Sequence, residues 1–146
     1  DLLEEIIISF EETSDKKITL FENEDKNKIN IKRSPEIVYG LRNFIGNAIK
    51  FADEEVGIKL ISDNQTLKVI INDDGPGFAE DIIKLIGEPY LKSKSKKISS
   101  KAGLGLGIFL GKTLLERKKA QLTFFNIEDL KGAAIKISWN IEDIKN

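Results

Sequence analysis

The sequence predicts an α+β fold: a two-layer α/β sandwich, with helices on one face of a mixed, mostly antiparallel sheet. Three observations carry that expectation. Two segments, one from Pro35 and one from Gly103, repeat apolar residues at helical spacing. Two pairs of short apolar runs, GIKLIS with TLKVIIN and QLTFFN with AAIKISW, read as antiparallel hairpins. Finally, 146 residues with 40% apolar and 32% charged side chains suit one soluble core rather than two, or none.

Asp1 to Glu12 has apolar residues at 2, 3, 6, 7, 8 and 10, which fits a short helix; a strand through Ile6–Phe10 is the alternative. Lys17–Phe21 and Ile29–Lys32 read as strands joined by the polar turn ENEDKNK. Ser34-Pro35-Glu36 opens a helix, with Ser as cap and Pro in the first position. Ile37, Val38, Leu41, Phe44, Ile45, Ala48 and Ile49 give it one buried face. Asp63-Asn64-Gln65 connects the first hairpin. Ala79–Ile86 is a short helix, residues 87–102 are polar and lysine-rich, and the next amphipathic helix runs to about Lys119.

Composition narrows the chemistry. The net charge of −1 gives no global attraction to nucleic acid or an anionic membrane. The absence of cysteine removes disulfides and thiolate metal sites. The absence of histidine removes imidazole bases, histidine metal ligands and Ser-His-Asp triads. No apolar run approaches the about 20 residues that span a bilayer. A chain with no Met, starting at Asp1, reads as an excised piece.

Four constellations remain. Asn43, Asn47 and Lys50 share a stripe on the first long helix. The stripe is either a solvent-facing side or a ligand site, with the Asn47 amide oxygen a hard ligand suited to Mg²⁺ and Lys50 placed for a phosphate. Asp73-Asp74-Gly75-Pro76-Gly77-Phe78 is either an ordinary strand-to-helix turn or a pocket wall where Asp73 accepts from an exocyclic amine. Gly103-Leu104-Gly105-Leu106-Gly107 opens a helix, so its backbone N–H groups suit an anion. It has neither Rossmann nor Walker A spacing. Lys92, Lys94, Lys96, Lys97 and Lys101 suit a nucleic-acid patch, a solvated loop or a lid. Tyr90 is the sole aromatic nearby, which argues against a nucleic-acid stacking platform.

In their order these segments resemble the catalytic ATP-binding domain of sensor histidine kinases, in the GHKL superfamily shared with gyrase, Hsp90 and MutL proteins. LRNFIGNAIKFA resembles the N box, DDGPGF the G1 box, GEPYLKS the F box and GLGLGIFLGKTLLE the G2 box. The likeness covers roughly residues 1–140, and GEPY, GLGLGIF and KTLLER look most like the redox-responsive RegB/PrrB group. That group senses through a cysteine, which this chain lacks.

The resemblance implies a Bergerat-type ATP-binding fold, with residues 1–146 as one catalytic domain and 88–102 as its lid. It implies ATP and Mg²⁺ as ligands. Asn47 holds the metal, Asn43 and Lys50 approach the phosphates, and Phe51 lines the nucleotide site. Asp73 binds the adenine amine beside Gly75 and Gly77. Tyr90 anchors the lid, and Gly103, Leu104, Gly105, Leu106 and Gly107 give backbone donors. Where the family has Gly-Thr, this chain has Gly132-Ala133, without the hydroxyl.

The related ATPases carry a water-activating Glu where this chain has Asn43, and an amide is no general base. The expectation is therefore a protein-histidine kinase domain with Asn43 and Lys50 in the catalytic role. Its phosphoacceptor would be a histidine on a dimerisation domain of the same polypeptide, and a response regulator would follow. The domain itself is expected to be cytoplasmic and to touch neither nucleic acid nor membrane. The parent is expected to be a homodimer anchored in a bacterial inner membrane. An anti-sigma-type serine kinase, a gyrase/chaperone-type ATPase and a non-catalytic nucleotide sensor are the alternatives.

Overall fold

Ser34 opens the helix that organises the molecule. Its hydroxyl oxygen accepts from the Ile37 N–H at 3.2 Å, and Pro35 follows in the first turn. This helix, α2, spans Pro35–Phe51 and buries Ile37, Gly40, Leu41, Phe44, Ile45 and Ala48. The architecture around it comes from a computed structural model describing residues 2–23, 30–86, 104–127 and 132–145.

In chain order the elements are α1 (Leu2–Glu11), β1 (Lys17–Glu22), α2, β2 (Glu55–Ser62), β3 (Thr66–Asp73), α3 (Glu80–Ile86), α4 (Leu104–Glu116), β4 (Gln121–Asn126), β5 (Ala133–Asn140) and α5 (Ile141–Ile144). The strands form one sheet in the order β1-β2-β3-β5-β4. β1 and β2 run parallel, with α2 as the crossover between them, and the other pairs are antiparallel. The architecture is the open α+β sheet with a helical layer that the sequence predicts.

Alternation divides the sheet into two faces. Val56, Ile58, Val69, Ile71, Ile137 and Trp139 point into the core with the helices. On the other face Lys59, Ile70 and Lys136 lie side by side in register across β2, β3 and β5. The hairpin joining β2 to β3 is fixed by Asp63, whose Oδ1 accepts from the Gln65 and Thr66 N–H groups at 2.7 and 2.8 Å.

Three local expectations change. The N-terminal segment is a helix, burying Leu2, Leu3, Ile6 and Ile7 at helical spacing, so the strand alternative fails. Of the segment 29–32, the described residues 30–32 do not join the sheet. Ile31 makes an isolated antiparallel bridge with Lys145, and Lys32 N–H donates to the Ile144 carbonyl at 2.7 Å. β1 finds its neighbour across the α2 crossover instead. The intervening ENEDKNK turn falls almost wholly outside the described residues. Helix α4 ends at Glu116, not near Lys119. The Ala120 N–H reaches back to the Leu115 carbonyl, and Lys119 adopts φ 70°. That is a Schellman-like stop built on a lysine, so no glycine advertises it.

α2 and α4 pack antiparallel through small residues. A Cβ on Gly40 would stand 2.6 Å from Leu115 Cγ, and one on Gly111 would stand 3.0 Å from Phe44 Cζ. Leu115 and Phe44 are both fully buried. In an ordinary helix Gly→Ala stabilises by about 0.5–1 kcal/mol. Here Gly40→Ala is expected to destabilise by roughly 1–3 kcal/mol through overpacking, read as a lower urea midpoint with unchanged slope.

Candidate functional site

A cleft opens between α2, β3, β5 and the start of α4. Its walls are largely apolar: Phe44, Ala48 and Phe51 from α2, Ile71 from β3, Ile135 from β5 and Ile108 from α4. Two polar side chains enter it, Asn47 and Asp73. An apolar cleft with a few placed polar groups is the usual form of a small-molecule site.

Asp73 ends β3 and is 7% exposed. Its Oδ1 accepts from the Gly75 N–H at 2.8 Å and from the Ala133 N–H at 3.4 Å. Burial pushes the carboxyl up from its ordinary value, the two backbone donors pull it back, and the charges of Asp74 and Asp53 add to the rise. Holding this group demands close backbone approach. A Cβ at Gly132 would meet the Asp73 carbonyl oxygen at 1.9 Å, and Gly132 has φ +145°. The position where the family pattern has Thr therefore contributes its backbone N–H, which Ala133 supplies as well as any residue.

Gly77 takes φ +84° in the loop after β3. Beside it, Asn126 and Phe78 form a reciprocal pair: the Phe78 N–H donates to Asn126 Oδ1 at 2.7 Å, and Asn126 Nδ2 donates to the Phe78 carbonyl at 2.8 Å. Phe78 lines the cavity and stands edge-on to Phe124. Sequence reading misses Asn126, because the contact spans 48 residues and a lone Asn at a strand end carries no signal.

On α2, the Asn43 and Asn47 side chains make no hydrogen bond among the described residues, and Asn47 Nδ2 is buried without a partner. Such an orphan is an unspent donor on a residue that lines the cavity. Lys50 Nζ sits 5.3 Å from the Phe51 ring centroid and forms no ion pair among the described residues. The start of α4 closes this side: a Cβ on Gly107 would lie 3.6 Å from Asn47 Nδ2. Leu104, Gly105 and Leu106 form its first turn, whose N–H groups have no acceptor within the helix. Tyr90, Gly103 and residues 88–102 lie outside the described residues.

The cavity thus unites Asn47, Phe51, Asp73 and Gly77 directly, with Gly107 at its edge. Asn43 and Lys50 share their helix one turn to either side. Among the described residues no three carboxylates cluster to hold a metal. No described helix is long and apolar enough to cross a membrane.

The chain is similar to known proteins. A family model described as histidine kinase-, DNA gyrase B-, and HSP90-like ATPase matches residues 33–142. The sensor histidine kinase RegB of Cereibacter sphaeroides is 36% identical over 127 residues, covering 77% of this chain and 28% of RegB. The sensor histidine kinase CssS of Bacillus subtilis is 26% identical over 98 residues, covering 67% of this chain and 20% of CssS. The chain therefore spans about a quarter of the length of these relatives. In fold it is similar to the catalytic domain of histidine kinase ThkA, with a TM-score of 0.71 at 20% identity, covering 95% of this chain and 90% of that one. It is also similar to full-length ShkA in complex with AMPPNP, with a TM-score of 0.69 at 19% identity, covering 99% of this chain and 30% of that one. The chain belongs to the histidine kinase-, DNA gyrase B- and HSP90-like ATPase family, and its fold is that of histidine kinase ATP-binding domains.

Proposed function

We propose that this chain binds ATP with Mg²⁺ and delivers the γ-phosphoryl to a histidine on a separate dimerisation domain of the same polypeptide. One observation carries the reading. Asp73, held at the apolar inner wall, is the only carboxylate lining the cavity among the described residues, while the α2 stripe beside it offers amides and a lysine. That set suits holding a nucleotide and lacks a base to activate water.

Each residue then has a task. Asp73 accepts a hydrogen bond from the adenine amine through the oxygen its backbone donors leave free. Phe51, Ile71, Phe78 and Ile135 exclude water around the ring. Asn47 would hold Mg²⁺ through its side-chain amide oxygen, a hard ligand of the kind this ion takes from a protein beside phosphates. Mg²⁺, when bound, neutralises phosphate charge. Asn43, Lys50 and the first-turn amides of α4 orient the phosphates. The nucleophile arrives from outside this chain and attacks in line, so the domain contributes positioning and electrostatics. Residues 88–102 serve as the lid, with Tyr90 anchoring it, and Gly103 joins the backbone donors to the phosphates. A response regulator takes the phosphoryl next, and the parent acts as a membrane-anchored homodimer.

Asp73→Asn is expected to weaken ATP binding about tenfold or more, since a hydrogen bond to a charged acceptor is worth about 1.5–3 kcal/mol. The raised carboxyl adds a pH signature. As pH falls through its folded-state value, wild-type affinity drops, at a pH displaced upward from that of an ordinary carboxyl, while Asp73→Asn shows no such drop. Stability of the unliganded chain moves the other way. The folded state holds the proton more tightly than the unfolded state does, so stability is lost as pH rises through the folded value. Calorimetric titrations and melts of both proteins across pH check both signs; parallel affinity profiles would remove Asp73 from the site.

Asn47→Ala is expected to abolish the preference for Mg²⁺ over EDTA in ATP binding, an effect of roughly tenfold or more in the wild type. The wild-type chain alone should release negligible phosphate from ATP, and adding its phosphoacceptor domain should produce phosphohistidine. Rapid phosphate release by the chain alone would favour the ATPase reading. Bound ATP without any phosphohistidine would favour the sensor.

A further inference from the structure

Two charged side chains outside the cavity grip the corner that joins α2 to β2. Asp74 supplies one half of the grip. Its Oδ1 accepts from the Asp53, Glu54 and Glu55 N–H groups at 2.8, 3.0 and 3.2 Å, and its Oδ2 accepts from Glu54 and Glu55 at 3.1 and 3.2 Å. Lys16 supplies the other half. Its ammonium donates to the Ile49 and Ala52 carbonyls at 2.7 Å each, and to Lys50 at 3.4 Å. These are the orphan carbonyls at the end of α2 and the free amides just beyond it.

The corner carries Lys50 and Phe51, and Asp74 belongs to the loop that carries Asp73, Gly75 and Gly77. The two segments nearly touch: a Cβ on Gly75 would lie 2.1 Å from the Phe51 carbonyl oxygen. A displacement of the corner therefore changes the distance between the adenine wall and the α2 stripe. Charge-assisted hydrogen bonds are roughly twice as strong as neutral ones, and Asp74 makes its set on consecutive amides.

We infer that Asp74, with Lys16 as its counterpart, is a positioning residue that fixes the phosphate side of the cavity relative to its adenine side. The inference rests on the ATP reading above. The five backbone contacts also hold the Asp74 carboxyl below its ordinary value, led by the Glu54 N–H, so the grip persists into mild acid. The side chains of Asp53, Glu54 and Glu55 are themselves acidic and exposed. Asp74 thus gathers three amides whose side chains repel it, an arrangement that pays off only if the corner must be held.

The test compares ATP with adenosine in Mg²⁺, both in competition with a fluorescent nucleotide on this chain. Adenosine reports the adenine wall alone, and the affinity ratio reports its registration with the phosphate side. Asp74→Ala is expected to lower the ratio about tenfold, in the range found for groups that orient ligating residues. Lys16→Met is expected to lower it in the same direction. Asp74→Asn keeps an acceptor oxygen in place and should restore most of the ratio. Loss of folded protein alone reduces both affinities equally and leaves the ratio untouched. An unchanged ratio in Asp74→Ala and Lys16→Met overturns the inference while leaving the ATP site standing. If Asp74→Ala shows no cooperative melt, Lys16→Met decides. A wild-type chain that binds neither ligand overturns the ATP reading, and the inference falls with it.

Discussion

The buried carboxylate of Asp73 is the group around which the rest of the site is arranged. An ionised carboxyl in an apolar cavity survives only if donors reach it, and the donors available are backbone amides. Supplying them brings the start of β5 against the end of β3, which leaves no room for a side chain at Gly132. It also bends the chain after β3 so that Gly75 can turn its N–H back. The bend sends Phe78 into the cavity wall and onto Asn126 of β4. Sheet order contributes as well: β3 and β5 are neighbours, so one ladder delivers both the acid and one of its donors.

Helix α2 does two jobs with two stripes. One stripe is fully apolar and packs on the sheet and α4; the other holds Asn43, Asn47 and Lys50. Periodicity alone exposes both, because side chains three and four residues apart share a face whatever surrounds them. The strand ending at Asp73, the glycine bend after it and the glycine-rich opening of α4 were legible for similar reasons: each depends on local backbone demands. The family signature then lay in their order along the chain.

What sequence missed depends on contacts between distant segments. Ile29–Lys32 has the alternation of a strand, yet sheet membership is decided by what lies alongside, and the α2 crossover gives β1 its partner. Lys119 ends α4 in a conformation that usually calls for glycine, so nothing marked the stop. Lys16 sits 33 to 36 residues from the carbonyls it meets, and Asp74 19 to 21 from its amides. An isolated lysine, or the second of two aspartates, looks the same whether it is solvated or clamped.

The face of the sheet away from the helices has a consequence for how such domains coexist. Ile70 lies between Lys59 and Lys136 across the three central strands, and Lys68 stands further along the same side of β3. Another sheet stacking on the middle of this face would have to strip water from several ammonium groups, while the exposed aromatic side chains Phe21 and Phe125 stand apart on the edge strands β1 and β4. The lysines therefore make the centre of this face costly to dehydrate. A second copy meeting this face would therefore find its centre wet.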